Sequence, residues 1–148
     1  MRRELKFRTF EEVRAELTRL EQGPVETTGQ WSFFQIIVHL AKGIEGSMKG
    51  VRREMSFWRR HILGPLLYRL FAFRGYIPKG IKGPPADRIE GNETEAIAQF
   101  RKALEAFEKS EGPYSDHPIL GQLTKKQWVV FHSMHFANHV GYIKLKDK

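Results

Sequence analysis

At four places in these 148 residues, a short polar side chain able to cap a helix, with Glu or Gln three positions later, opens a run of apolar residues at helical spacing. The pairs are Thr9 with Glu12, Ser32 with Gln35, Asn92 with Glu95, and Thr124 with Gln127. Such pairs satisfy backbone N–H groups that the first turn of a helix leaves without partners. The stripes that follow (Phe10, Val13, Leu17, Leu20; Phe33, Ile37, Leu40, Ile44; Ile97, Phe100, Leu104, Phe107; Val129, Phe136, Val140, Ile143) each gather on one side of a helix. The spacing predicts helices over about 10–21, 31–50, 92–109 and 124–143. The second is apolar nearly all round, as a helix buried among several neighbours must be. With no convincing strand, the expectation is an all-α fold: a single domain over 1–148, built as a four-helix bundle. A chain of this length buries about 68–70% of its unfolded surface, enough for one core.

Residues 49–91 interrupt this pattern. They hold ten Lys and Arg against three Asp and Glu, net +7 of the chain's +8. Met55–Phe73 reads as an extra basic amphipathic helix, which Gly64-Pro65 should kink or divide because Pro65 has no N–H for the His61 carbonyl. The Gly- and Pro-rich run over 74–91 reads as a long crossover loop between the second and third bundle helices. Arg52, Arg53, Arg59 and Arg60, interleaved with Phe57 and Trp58, make a candidate basic surface for nucleic-acid phosphates or an anionic membrane. No recognised nucleic-acid motif accompanies them, and a charged segment is more often a solvated face. That reading therefore stands second. A homodimer formed through the apolar part of 55–73 is a further expectation.

Half of the six histidines lie in the last predicted helix, at His132, His135 and His139. At about 100° per residue they share a face only about 60° wide, bordering the apolar stripe. Neutral imidazoles on a half-buried face are competent ligands for zinc, nickel or iron. His135 and His139, one turn apart, could reach one ion together. The alternative is three core histidines bonded to neighbours. The helical zinc-peptidase signature needs Glu directly after the first histidine of such a pair, and Phe136 stands there. His39, in the middle of the second helix, faces away from that helix's richest apolar stripe and shares its side with Gln35, Ile36, Gly43 and Gly46. The glycines there would let a neighbouring helix or a ligand come close. By itself a lone buried histidine is more often structural.

The order of WSFFQIIVHLAKGIEG early in the chain and HFANHVGYI late resembles the DinB-like superfamily of four-helix bundles. Those proteins carry a histidine in the second helix and an H-x-x-x-H pair in the last. His39 matches the first position, and His135 and His139 match the pair. The resemblance implies a divalent metal (zinc, nickel or iron) held by His39, His135 and His139, with a coordination position left for substrate. It further implies a metal-dependent thiol transfer or a hydrolysis acting on a small molecule, with a low-molecular-weight thiol as a second cofactor. Asn138 and Val140 flank His139 where many relatives have His or Arg, and the basic 49–91 segment exceeds the crossovers of simpler members. His132 stands one turn before the pair, as an alternative ligand or a hydrogen-bonding neighbour of the site. Helical facing also places Gln35, Trp128 and Tyr142 at the cavity, although core packing is the commoner reason for residues such as the last two.

The absence of cysteine excludes disulfides and thiolate ligands and fits a reducing compartment. The opening residues MRRELKFRTFEEV lack the apolar run of a signal peptide. The expected location is the cytoplasm.

Overall fold

A computed structural model describes residues 2–78 and 91–146. The described chain is mostly helical, with five α-helices and one small two-stranded sheet: α1 (Phe10–Leu20), β1 (Val25–Thr27), α2 (Phe33–Ser47), α3 (Gly64–Arg74), α4 (Glu93–Lys109), α5 (Lys125–Val140) and β2 (Ile143–Leu145). Residues 79–90, most of the expected crossover loop, lie outside the described residues.

The caps form as their chemistry demands. Thr9, Ser32 and Thr124 each accept the N3 amide while the N3 side chain reaches back to the cap amide. Asn92 accepts from both Thr94 and Glu95. α2 lies along α4 and α5, and α1 packs on α5. Phe10, Leu17, Ile37, Leu40, Phe100, Leu104, Phe107, Phe136 and Val140 make the interior. Phe100 stacks on Phe136 at 5.5 Å between centroids.

The helices agree with the all-α expectation, and the small sheet is an addition that the sequence does not signal. α5 ends at Val140, so Tyr142 and Ile143 leave the helix, and Ile143 enters β2 opposite Thr27. Three-residue strands are too short to print an alternating pattern in sequence. Tertiary pairing specifies this one. Arg3 N–H donates to the Gly141 carbonyl at 2.8 Å, and Thr28 N–H donates to that of Tyr142 at 2.8 Å. A Cβ on Gly141 would stand 2.8 Å from the Arg3 oxygen, so the crossing needs glycine.

Pro65 does not interrupt the helical run; the change of helix type falls just before it. A π-helical turn over Arg59–Leu63 leads directly into α3, and the Gly64 N–H reaches back to the Arg59 carbonyl. The widened turn places Pro65 in the first turn of α3, where no amide hydrogen is needed. Gly64 has a separate duty: a Cβ there would meet the Leu120 carbonyl oxygen at 2.3 Å. Gly43 and Gly46 have nothing within 4 Å of a Cβ, so no neighbouring helix comes close at either, contrary to that part of their sequence reading.

Three of the four candidate basic-surface arginines converge on one carboxylate. Asp116, 2% exposed, accepts from Arg52 Nη1 at 2.9 Å and the Arg53 amide at 3.1 Å, with Arg60 Nη2 at 3.2 Å. Arg53 Nε donates to the Asp116 carbonyl. Burial acts to raise the Asp116 pKa, but the Arg53 amide, Arg52 and Arg60 outweigh it and hold the carboxyl below its ordinary value. These arginines tie residues 52–60 to the loop before α5, and among the described residues Arg59 is the one of the four whose side chain makes no such tie.

Two predictions follow from this packing. In urea denaturation, Gly64→Ala should lower stability by about 1–3 kcal/mol, while Gly43→Ala should raise it by about 0.5–1 kcal/mol. Asp116→Ala should cost about 2–4 kcal/mol, because it strands three guanidinium and amide donors against a cavity.

Candidate metal centre

α2 and α5 bring three imidazoles to one point. His135 Nε2 lies 3.2 Å from His39 Nε2 and 3.0 Å from His139 Nε2. All three ligand atoms lie within 4.8 Å of one another, and each residue is partly buried. His135 and His139 share a face because four residues make about one helical turn. His39 reaches them across the α2–α5 seam.

Hydrogen bonding alone satisfies this cluster poorly. A neutral imidazole Nε2 carries either one hydrogen or one lone pair. His135 Nε2 faces two other Nε2 atoms, so one hydrogen or one lone pair must be shared between both contacts. A cation removes that conflict by accepting all three lone pairs. Ligands about 2.0–2.1 Å from a tetrahedral zinc stand about 3.3 Å apart, near the two short separations seen. The donor set therefore fits a divalent ion of the zinc, nickel or iron type.

The rings are also in the right charge state. Burial lowers the His39 pKa, helped by Lys42. Burial, then the His139 and His39 rings, hold His135 well below the ordinary imidazole value. Burial, His39 and Arg2 bring His139 to about 4. All three are neutral at pH 7, as ligands must be.

One wall of the cluster was not legible in the sequence. Trp31 stacks on His139 at 5.3 Å with an interplanar angle of 13°, and meets His39 edge-on at 5.0 Å. Phe131 flanks His135 at 5.7 Å. Arg2 donates to Asn138 Oδ1 at 2.6 Å and lies over the Tyr142 ring. Trp31 precedes the Ser32 cap and Arg2 lies far from α5 in sequence, so no local periodicity connects either to the histidines.

The other candidate residues take different places. Gln35 completes the α2 capping box one turn before His39, with its Oε1 accepting from Ser32 N–H at 2.9 Å. Tyr142, past the end of α5, packs against Gly29 and Arg2, because the helical angle used to place it stops applying at Gly141. Trp128 is buried and stacks on His132 at 5.0 Å; its Nε1–H has no hydrogen-bond acceptor among the described residues. His132 is bonded elsewhere. Ser47 Oγ donates to the Ile44 carbonyl at 2.6 Å and so must accept from His132 Nε2–H at 3.0 Å. That fixes the His132 tautomer and commits its Nε2 to α2, and His132 is not among the three converging rings. His117 accepts the Ile119 and Leu120 amides on Nδ1, which closes the turn before α5. A surface groove beside Leu20, Pro24, Phe33 and Ile97 includes none of the histidines.

Two histidines outside the cluster give the fold an acid limit. His117 is lowered to about 4 and His132 to about 3, both chiefly by burial. The unfolded chain protonates its histidines near 6.5, so between about 6.5 and 4 it binds more protons than the folded chain. Stability must therefore fall as pH falls through that window. Urea midpoints of metal-free protein should be flat above about pH 7 and decline below 6.5. His117→Gln should remove up to about 1.4 kcal/mol per pH unit from that slope.

A family model described as a protein of unknown function, DUF1569, matches residues 1–146. No curated protein and no solved structure matches the chain. Because the family match covers all but its last two residues, the chain belongs to DUF1569, a family of unknown function.

Proposed function

We propose that this protein is a DinB-like metalloprotein, with α1, α2, α4 and α5 as its four-helix bundle and α3 as an appended element. His39, His135 and His139 would hold one divalent cation, zinc, nickel or iron, through their Nε2 atoms. The observation that carries this reading is the convergence of those three nitrogens from two helices. Bound there with three protein ligands and a vacant position, the cation would supply Lewis-acid chemistry to a thiol or carbonyl group.

The chain's own residues narrow the substrate. Trp31, stacked on His139, supplies an apolar wall beside the ligand set and limits water on that side. Arg2 brings positive charge towards His139. Among the described residues the ligand group contains no carboxylate that could serve as a general base. A substrate group that ionises readily, and is held as an anion by this positive surround, fits better than one needing a protein base. A low-molecular-weight thiol meets that requirement, and so does a cation-bound water, so the proposed reaction is a thiol transfer or a hydrolysis acting on a small molecule.

Elemental analysis of purified protein tests the reading. About one equivalent of metal per chain is expected in the wild type and in His61→Ala, falling towards background in His135→Ala and His139→Ala. Equal metal content across all four proteins would overturn it. Chelation should also lower the melting temperature of the wild type and leave the two depleted variants unmoved.

A further inference from the structure

The outward side of α3 and of the turn before it has no use in the metal centre. Trp58, Ile62, Leu66, Leu70 and Phe73 recur at spacings of four, four, four and three, which keeps them on one stripe. The stripe faces outward: Trp58 is 69%, Leu66 61% and Phe73 86% exposed. The opposite side of α3 turns Tyr68 and Phe71 into the core. α3 is therefore apolar on two sides, and one of them has no partner among the described residues. With Phe57 and Leu63 beside it, the outward side carries seven large apolar side chains, each at least 40% exposed, a grouping that marks an interaction surface rather than singly scattered apolar residues.

The charge around the stripe has one sign. From Met55 to Pro78 the sequence contains four arginines and no Asp or Glu. Arg60 is committed to Asp116, whereas Arg59, Arg69 and Arg74 are exposed. A second copy seated on this stripe would bring like charges together with no acid to offset them. Nucleic-acid phosphates would satisfy the arginines and leave the apolar stripe in water. An anionic lipid surface satisfies both, with apolar side chains below the headgroups and guanidinium groups extending among them.

We propose that the stripe of Trp58, Leu66 and Phe73, flanked by Arg59, Arg69 and Arg74, docks this protein on anionic lipid surfaces. The segment lies in the interface plane. No described helix is long and apolar enough to cross a membrane. Trp58, at one end of the stripe, has the amphipathic ring that settles at headgroup depth.

Flotation of the full chain with vesicles tests this, using phosphatidylcholine alone and phosphatidylcholine with about one third phosphatidylglycerol. Binding is expected only to the anionic vesicles, weakening as salt rises. Phe73→Glu and Leu66→Glu should each reduce partitioning about tenfold or more while leaving the helical circular dichroism signal and metal content unchanged. Absence of anionic-vesicle binding, or equal binding by wild type and both variants, would overturn the proposal. So would a stable dimer that Leu66→Glu converts to monomer without any vesicle binding, which would assign the stripe to a second copy. Preferential retention by duplex or single-stranded nucleic acid over anionic vesicles would overturn it in the other direction.

Discussion

The buried bond between Ser47 on α2 and His132 on α5 fixes how those helices lie against each other. Ser47 gives its only hydrogen to its own helix, so it can engage His132 as an acceptor alone. Moving away from this bond, the chain ascends α2 to a pairing where His39 meets His135. The two helices run antiparallel, and the same register brings His139 into reach. A slip of one residue on either helix would swing an imidazole by about 100° and scatter the cluster. His132 is thus a registration element for the three rings beyond it, and burial keeps it uncharged so that it can serve as one.

How much of this was legible in the sequence follows the range of each interaction. The capping pairs at Thr9, Ser32 and Thr124 act within one turn, so the residues alone placed the helix starts. The shared face of His135 and His139 needed only helical geometry. Bringing His39 to them required a tertiary register, which periodicity does not encode; the family resemblance supplied the expectation. Trp31 and Arg2 are illegible in the sequence for the same reason. Tyr142 and Ile143 were assigned by an angle that holds only inside a helix, and α5 ends before them where the chain crosses the Arg3 backbone. Gly43 and Gly46 leave room for a neighbouring helix or a ligand, but an absent side chain does not say whether a helix fills the space, and none does.

The basic segment teaches a similar lesson about charge. Composition counts cations without saying which of them already have partners. Arg52, Arg53 and Arg60 surround one buried carboxylate, and that carboxylate, Asp116, lies more than fifty residues further along the chain. What remains presented at the surface is a smaller set of arginines set around exposed apolar side chains. Such a combination speaks of an interface more than of phosphate binding.

The separation of His39 from His135 by 96 residues has a consequence for biosynthesis. A ribosome releases the first of these rings long before α5 exists, so α2 cannot find its antiparallel companion until residues up to about 140 have emerged. The contacts of Arg3 with Gly141, and of β1 with β2, wait for the same segment and the residues just after it. A nascent chain therefore holds His39 without its two neighbours, and the cluster of three rings assembles only when α5 docks on α2.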